Sequence, residues 1–143
     1  MRRLTASLIL ASALGLGIPA AFAAPLVTPA QLADRVATNA VRIVDIRGGK
    51  NEAGKTPYEL GHLPGAVNAP YGQWRGPADN PGKMPDVAKL TELLQRLGID
   101  ADTEVVVAHE GKDATDFGAA ARVYWTLKTA GVSKLSILNG GVR

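Results

Sequence analysis

The 143 residues are 20% charged, 46% hydrophobic and 5% aromatic, the balance of an ordinary globular domain rather than a disordered, fibrous or multi-span membrane chain. A formal charge of +3 and a pI near 9.4 invite a nucleic-acid reading, but beyond the pair Arg2-Arg3 the basic residues are scattered singly among 13 acids, so no nucleic-acid partner is expected. There is no cysteine, which excludes disulfides, thiolate metal sites and every cysteine nucleophile in this chain.

Residues 1–23 have the organisation of a Sec-type signal peptide. Arg2 and Arg3 form a basic start, Leu4 to Ile18 an apolar stretch, and Ala21-Phe22-Ala23 a small-x-small cleavage site. Gly15, Gly17 and Pro19 interrupt an apolar run already short of the ~20 residues a membrane span needs, so cleavage is preferred to an uncleaved anchor and no span is expected to remain. Cleavage is placed after Ala23, because one residue later Pro25 would follow the scissile bond directly. The expected location is periplasmic or secreted. Arg2 and Arg3 are two of the 16 basic side chains, so residues 24–143 are nearly neutral and the basicity belongs mostly to the leader.

The rest alternates helix and strand. Thr28-Pro29-Ala30-Gln31 is a capping box with Pro at the first helical position, predicting a short helix over 29–37 with Leu32, Ala33 and Val36 inward. Val41 to Ile46 (VRIVDI) has the near-continuous apolar, β-branched character of a strand buried on both faces. Ala66 to Pro70 is a second short strand, and Tyr71 to Pro85 a Gly- and Pro-rich loop. Asp86 to Leu97 is an amphipathic helix stopped by Gly98, with Val87, Leu90, Leu93, Leu94 and Leu97 on its apolar side and Glu92 paired to Arg96 on the other. Glu104 to Ala108 is a third strand, Phe117 to Ala130 a helix, and Leu135 to Leu138 a last strand before Asn139-Gly140-Gly141. This order predicts a three-layer α/β domain with a mainly parallel sheet, whose ligands sit at the carboxyl ends of the strands. The loops after Ile46 and after Ala108 occupy that edge.

Gly49 to Thr56 satisfies G-x-x-x-x-G-K-[ST], the phosphate-loop pattern, after a strand as that motif requires. A phosphate loop must also open a sustained helix, and Pro57, Gly61, Pro64 and Gly65 allow at most a turn or two. Nucleotide binding is therefore a remote alternative, and the segment reads as a solvated loop.

Asp45-Ile46-Arg47 at a strand end, followed by Gly61-His62-Leu63-Pro64-Gly65-Ala66 before the next strand, resembles the paired motifs of the rhodanese family. The similarity continues through Leu97-Gly98-Ile99, Ala121-Arg122-Val123-Tyr124-Trp125 and Leu138-Asn139-Gly140-Gly141. It implies a rhodanese-like domain with a five-stranded, mainly parallel sheet flanked by helices. Read physically, these residues are mainly scaffold. Gly61, Pro64 and Gly65 force a compact turn in which the His62 imidazole bonds backbone groups, a structural role preferred to a catalytic or ligand one. Asp45 and Arg47 project from the same strand face and are expected to pair and tie loops together rather than react.

The resemblance places the persulfide cysteine of sulfur-transferring members just after the third strand, where this chain has His109. An imidazole cannot hold a transferable sulfane sulfur as a thiolate does, so no catalytic residue is assigned and the domain alone is expected to be inactive. The loop His109 to Asp116 carries three acids and one lysine, and Thr115 or Asp116 is read as the cap of the following helix. A metal site from His109, Glu110, Asp113 and Asp116 is disfavoured for want of a second imidazole, and no cofactor is expected. Tyr124 and Trp125 are assigned to core or interdomain packing, and Trp74-Arg75 to a docking anchor or to local packing.

The chain resembles the cysteine-less first domain of a tandem sulfurtransferase and is expected to be incomplete at its carboxyl end. Its expected partner is then a catalytic rhodanese domain of the same polypeptide. The alternative is a free-standing, non-catalytic rhodanese-like binding or regulatory module that recognises a protein partner.

Overall fold

The structure, a computed structural model, describes residues 24–143; the leader and its cleavage point lie outside the described residues. Five strands, β1 (Leu26–Val27), β2 (Arg42–Asp45), β3 (Val67–Asn68), β4 (Val105–Ala108) and β5 (Leu135–Leu138), form one sheet in the order β1-β5-β4-β2-β3, parallel throughout. Four helices accompany it: α1 (Pro29–Ala37), α2 (Pro57–Leu60), α3 (Val87–Leu97) and α4 (Ala114–Thr129).

Strand alternation builds the three layers. Along β4, Val105 and Val107 pack with Leu90, Leu93 and Leu97 of α3 and Val123 and Leu127 of α4, while Val106 and Ala108 pack with Leu32 of α1 and with Ile43. Both faces of the central strand are thus covered, which is why its sequence is apolar without a break. α1 starts on the expected reciprocal capping box of Thr28 and Gln31.

Several local expectations need correction. α4 begins at Ala114, three residues before Phe117, because Asp113 rather than Thr115 or Asp116 accepts the first free amide, that of Asp116, at 2.9 Å. Arg96 reaches Gln73 Oε1 at 2.6 Å instead of Glu92, so it ties α3 to the neighbouring loop. Val87, at the first position of α3, is 83% exposed and outside the apolar stripe. The short second strand is trimmed to Val67–Asn68. Within the loop that follows, Tyr71–Trp74 forms a 3-10 turn.

Candidate functional site

The loops after β2, β3, β4 and β5 meet at the carboxyl edge of the sheet around a cleft of about 810 Å³. Arg47, Tyr71, Arg75, Glu110, Asp116 and Arg143 are among its walls. The two loops singled out by the topology, after Ile46 and after Ala108, therefore do share one cavity.

The first loop is anchored by Asp45, which is almost fully buried. Its carboxylate accepts from the Arg47 backbone N–H at 3.0 Å, from Nε at 3.0 Å and from Nη2 at 2.6 Å. The same Nη2 donates to the Gly61 carbonyl at 2.7 Å, so the pair clamps the β2 end to the turn at 61–65. The bond to Asp45 raises the Arg47 guanidinium above its ordinary pKa, against the opposing effect of burial. Within the turn Gly65 has φ +74°. His62 is exposed, stacks on Tyr58 with ring centroids 3.9 Å apart, and its Nδ1 lies 2.9 Å from the Tyr58 carbonyl. The carbonyl accepts, so Nδ1 donates, and the ring serves the backbone of its own turn.

The Gly49–Thr56 segment closes on itself. Thr56 and Glu59 form a reciprocal capping box, with the Thr56 N–H 2.7 Å from Glu59 Oε2. The helix that follows has only four residues, too short to hold a phosphate through its dipole. The geometry needed for nucleotide is missing from this loop.

His109 heads the second loop and is 3% exposed. Its Nδ1 lies 2.7 Å from Asp116 Oδ2 and its Nε2 3.2 Å from the Leu138 carbonyl. Phe117 meets the ring edge-on at 5.7 Å between centroids. The backbone N–H groups of Glu110, Gly111 and Lys112 also point to the Asp116 carboxylate, at 3.3, 2.7 and 3.1 Å. Burial by itself would raise the Asp116 pKa; the bonds from His109 and from the Lys112, Gly111 and Glu110 amides outweigh it and hold the carboxyl below its ordinary 3.8. Glu110 pairs with Arg143 at 3.2 Å, and Asp113 caps α4. Among the described residues no group of three His, Cys, Asp or Glu side chains converges to hold a metal ion.

Gly140 and Gly141 are required here. Both have positive φ, +83° and +73°, and a Cβ on Gly141 would collide with the Gly111 amide, just as one on Gly111 would collide with the Gly140 carbonyl. The end of β5 therefore passes directly against the loop after β4, which lets the Leu138 carbonyl reach His109. Arg122 donates through Nη2 to the Gly82 carbonyl at 2.5 Å and lies over the Trp125 ring at 4.9 Å, so it braces the long loop from α4. Tyr124 packs against the core, as expected, but Trp125 is 48% exposed and lies outside it.

Trp74 cannot be a docking anchor. It is fully buried, among the largest side chains of the core, and its Nε1 donates to the Ala69 carbonyl at 3.0 Å. An aromatic on a Gly/Pro-rich loop is turned inward here by the 3-10 turn that carries it. Arg75 alone faces the cleft, with its guanidinium 5.4 Å from the Tyr71 ring. The roles of Asp116 and Gly111 as the centre of the second loop were not anticipated from the sequence; only the clustering of acids and the single Gly hinted at an ordered turn.

The pattern of the rhodanese-like domain family matches residues 28–143. The chain belongs to this family. The rhodanese-like domain is 32% identical over 118 residues to a "Putative thiosulfate sulfurtransferase" of Synechococcus elongatus, covering 82% of this chain and 34% of that one. It is 29% identical over 119 residues to the 3-mercaptopyruvate sulfurtransferase of Escherichia coli, covering 78% and 40%. The crystal structure of an Escherichia coli 3-mercaptopyruvate sulfotransferase superposes with a TM-score of 0.59 at 20% identity over 79% of this chain and 39% of that one, which supports the fold alone. The rhodanese-like domain thus spans well under half the length of these relatives.

Proposed function

We propose that this chain is the non-catalytic rhodanese-like domain of an exported sulfurtransferase of the thiosulfate or 3-mercaptopyruvate type, serving as scaffold and one wall of the active cleft for a catalytic second domain. The observation that carries this reading is the residue at the head of the β4–α4 loop: His109, buried and bonded through both ring nitrogens, in a chain without cysteine. Sulfur transfer of the persulfide kind needs a thiolate that attacks the donor and carries the sulfur, and no side chain here supplies one. The donor types are suggested by the names of the relatives, and the second domain by their greater length. Export rests on the leader at residues 1–23.

The test is to read the gene beyond Arg143 and to assay thiocyanate formation from thiosulfate and cyanide by the purified chain. A second Gly-His-x-Pro-Gly-Ala motif followed by a cysteine-led loop, together with no turnover by this chain, supports the proposal. A stop codon directly after Arg143 removes the enzyme reading and leaves a free-standing binding module. Turnover by the purified chain overturns the claim that it is non-catalytic.

A further inference from the structure

The loop after β4 presents three consecutive amides, those of Glu110, Gly111 and Lys112, to a single point, and the Asp116 carboxylate stands at that point. His109 Nδ1 adds a fourth donor at 2.7 Å. This carboxylate is not spent on capping α4, because Asp113 performs that task and takes the Asp116 N–H. Successive amides converging in this way make a concavity for an anion, and its anion is supplied by the chain itself. A second, independent observation is where the concavity opens. Asp116 is on the wall of the 810 Å³ cleft, its side chain is 20% exposed, and Arg47, Arg75, Lys112 and Arg143 line the same cavity. Arg47 is committed to Asp45 and Arg143 to Glu110, while Arg75 and Lys112 add positive charge that a second anion entering the cleft would meet.

We propose that Asp116 is an autoinhibitory internal anion: it fills an oxyanion cradle at the floor of the cleft and excludes external oxyanions, which enter only when its carboxylate is removed. Gly111 sets the shape of the cradle, since its φ of +86° turns the amides inward. The charge of Asp116 repels a second anion, and its oxygens occupy the positions the second anion would need. With the side chain shortened, the same amides and the His109 ring would face an unfilled, positively lined space. This inference does not depend on a second domain or on sulfur transfer, and its readout is not activity.

The test titrates inorganic sulfate, at constant ionic strength against chloride, into isotope-labelled wild-type chain and into Asp116→Ala and Asp116→Asn, following the Gly111 and Lys112 amide resonances. Wild type shows no saturable shift. Asp116→Ala shows saturable shifts at these two amides with affinity at least about tenfold above any wild-type response, and its thermal midpoint rises with sulfate where that of wild type does not. Asp116→Asn, which keeps the volume, stays blocked. Should Asp116→Ala fail to fold, Asp116→Ser is read by the same criteria. Equal titration by wild type, or a folded Ala or Ser variant that does not respond, overturns the proposal.

Discussion

The Nδ1 of His109 lies 2.7 Å from Oδ2 of Asp116, and this contact joins the first residue after β4 to the first turn of α4. The opposite ring nitrogen reaches the Leu138 carbonyl at 3.2 Å, so one buried imidazole ties together the ends of β4, α4 and β5. Both facing atoms are acceptors, and a ring protonated on both nitrogens serves both.

His109→Ala leaves a partly buried carboxylate and a backbone carbonyl short of donors. The expected loss of stability is about 2–3 kcal/mol, measured by the urea midpoint at neutral pH. A loss below about 0.5 kcal/mol would place these bonds among the dispensable ones.

Asp116 makes the second prediction one of pH. Its folded-state pKa lies below its ordinary 3.8, so the unfolded chain binds its proton first as the solution is acidified. The stability it contributes is complete above the unfolded value and is lost as pH falls through the folded one. Asp116→Asn should therefore be less stable than wild type at neutral pH and should unfold with a shallower dependence on pH in the acid limb. Parallel acid limbs for the two proteins would contradict this.

Asp45 and Arg47 form the most buried ion pair described, with side chains 1% and 11% exposed. Arg47→Ala strands a charge beneath the β2 end and is expected to cost about 3–5 kcal/mol. The double variant Asp45→Ala/Arg47→Ala should cost less than the sum of the singles by more than about 1 kcal/mol, because the second change removes the stranded charge. Additivity in a double-mutant cycle would show that the clamp is not a unit.

Gly111→Ala and Gly141→Ala test the crossing of the two loops. Each adds a Cβ where the other loop's backbone already stands and where φ is positive, so each should destabilise by about 2–4 kcal/mol. Gly49→Ala is the control: its φ is also positive, +84°, but its Cβ meets nothing, and only the backbone strain of about 1 kcal/mol remains.

Much of this was legible in the sequence because it is local. VRIVDI announces a doubly covered strand, and the Thr28 and Gln31 box sets the start of α1 where it is found. The Asp-x-Arg pairing followed from two side chains on one strand face. The misses are non-local. β1 has two residues and exists through its pairing with β5, more than a hundred positions away. Trp74 sits in a segment whose composition says loop, and only the packed core shows that its ring is inside. Thr115 and Asp116 had the chemistry of a cap as good as that of Asp113; which one acts is decided by the Asp116 carboxylate turning back onto residues 109–112. That turn needs Gly111 at positive φ and Gly140-Gly141 close against it, a condition set thirty positions downstream.

The central claim is that a rhodanese-like cleft is present here without an atom that can carry sulfur. Intact-mass measurement of the purified chain after incubation with thiosulfate or 3-mercaptopyruvate tests it most directly. The predicted result is an unchanged mass and no cyanide-labile sulfur. A donor-dependent gain of one sulfur atom, released by cyanide, would contradict the account.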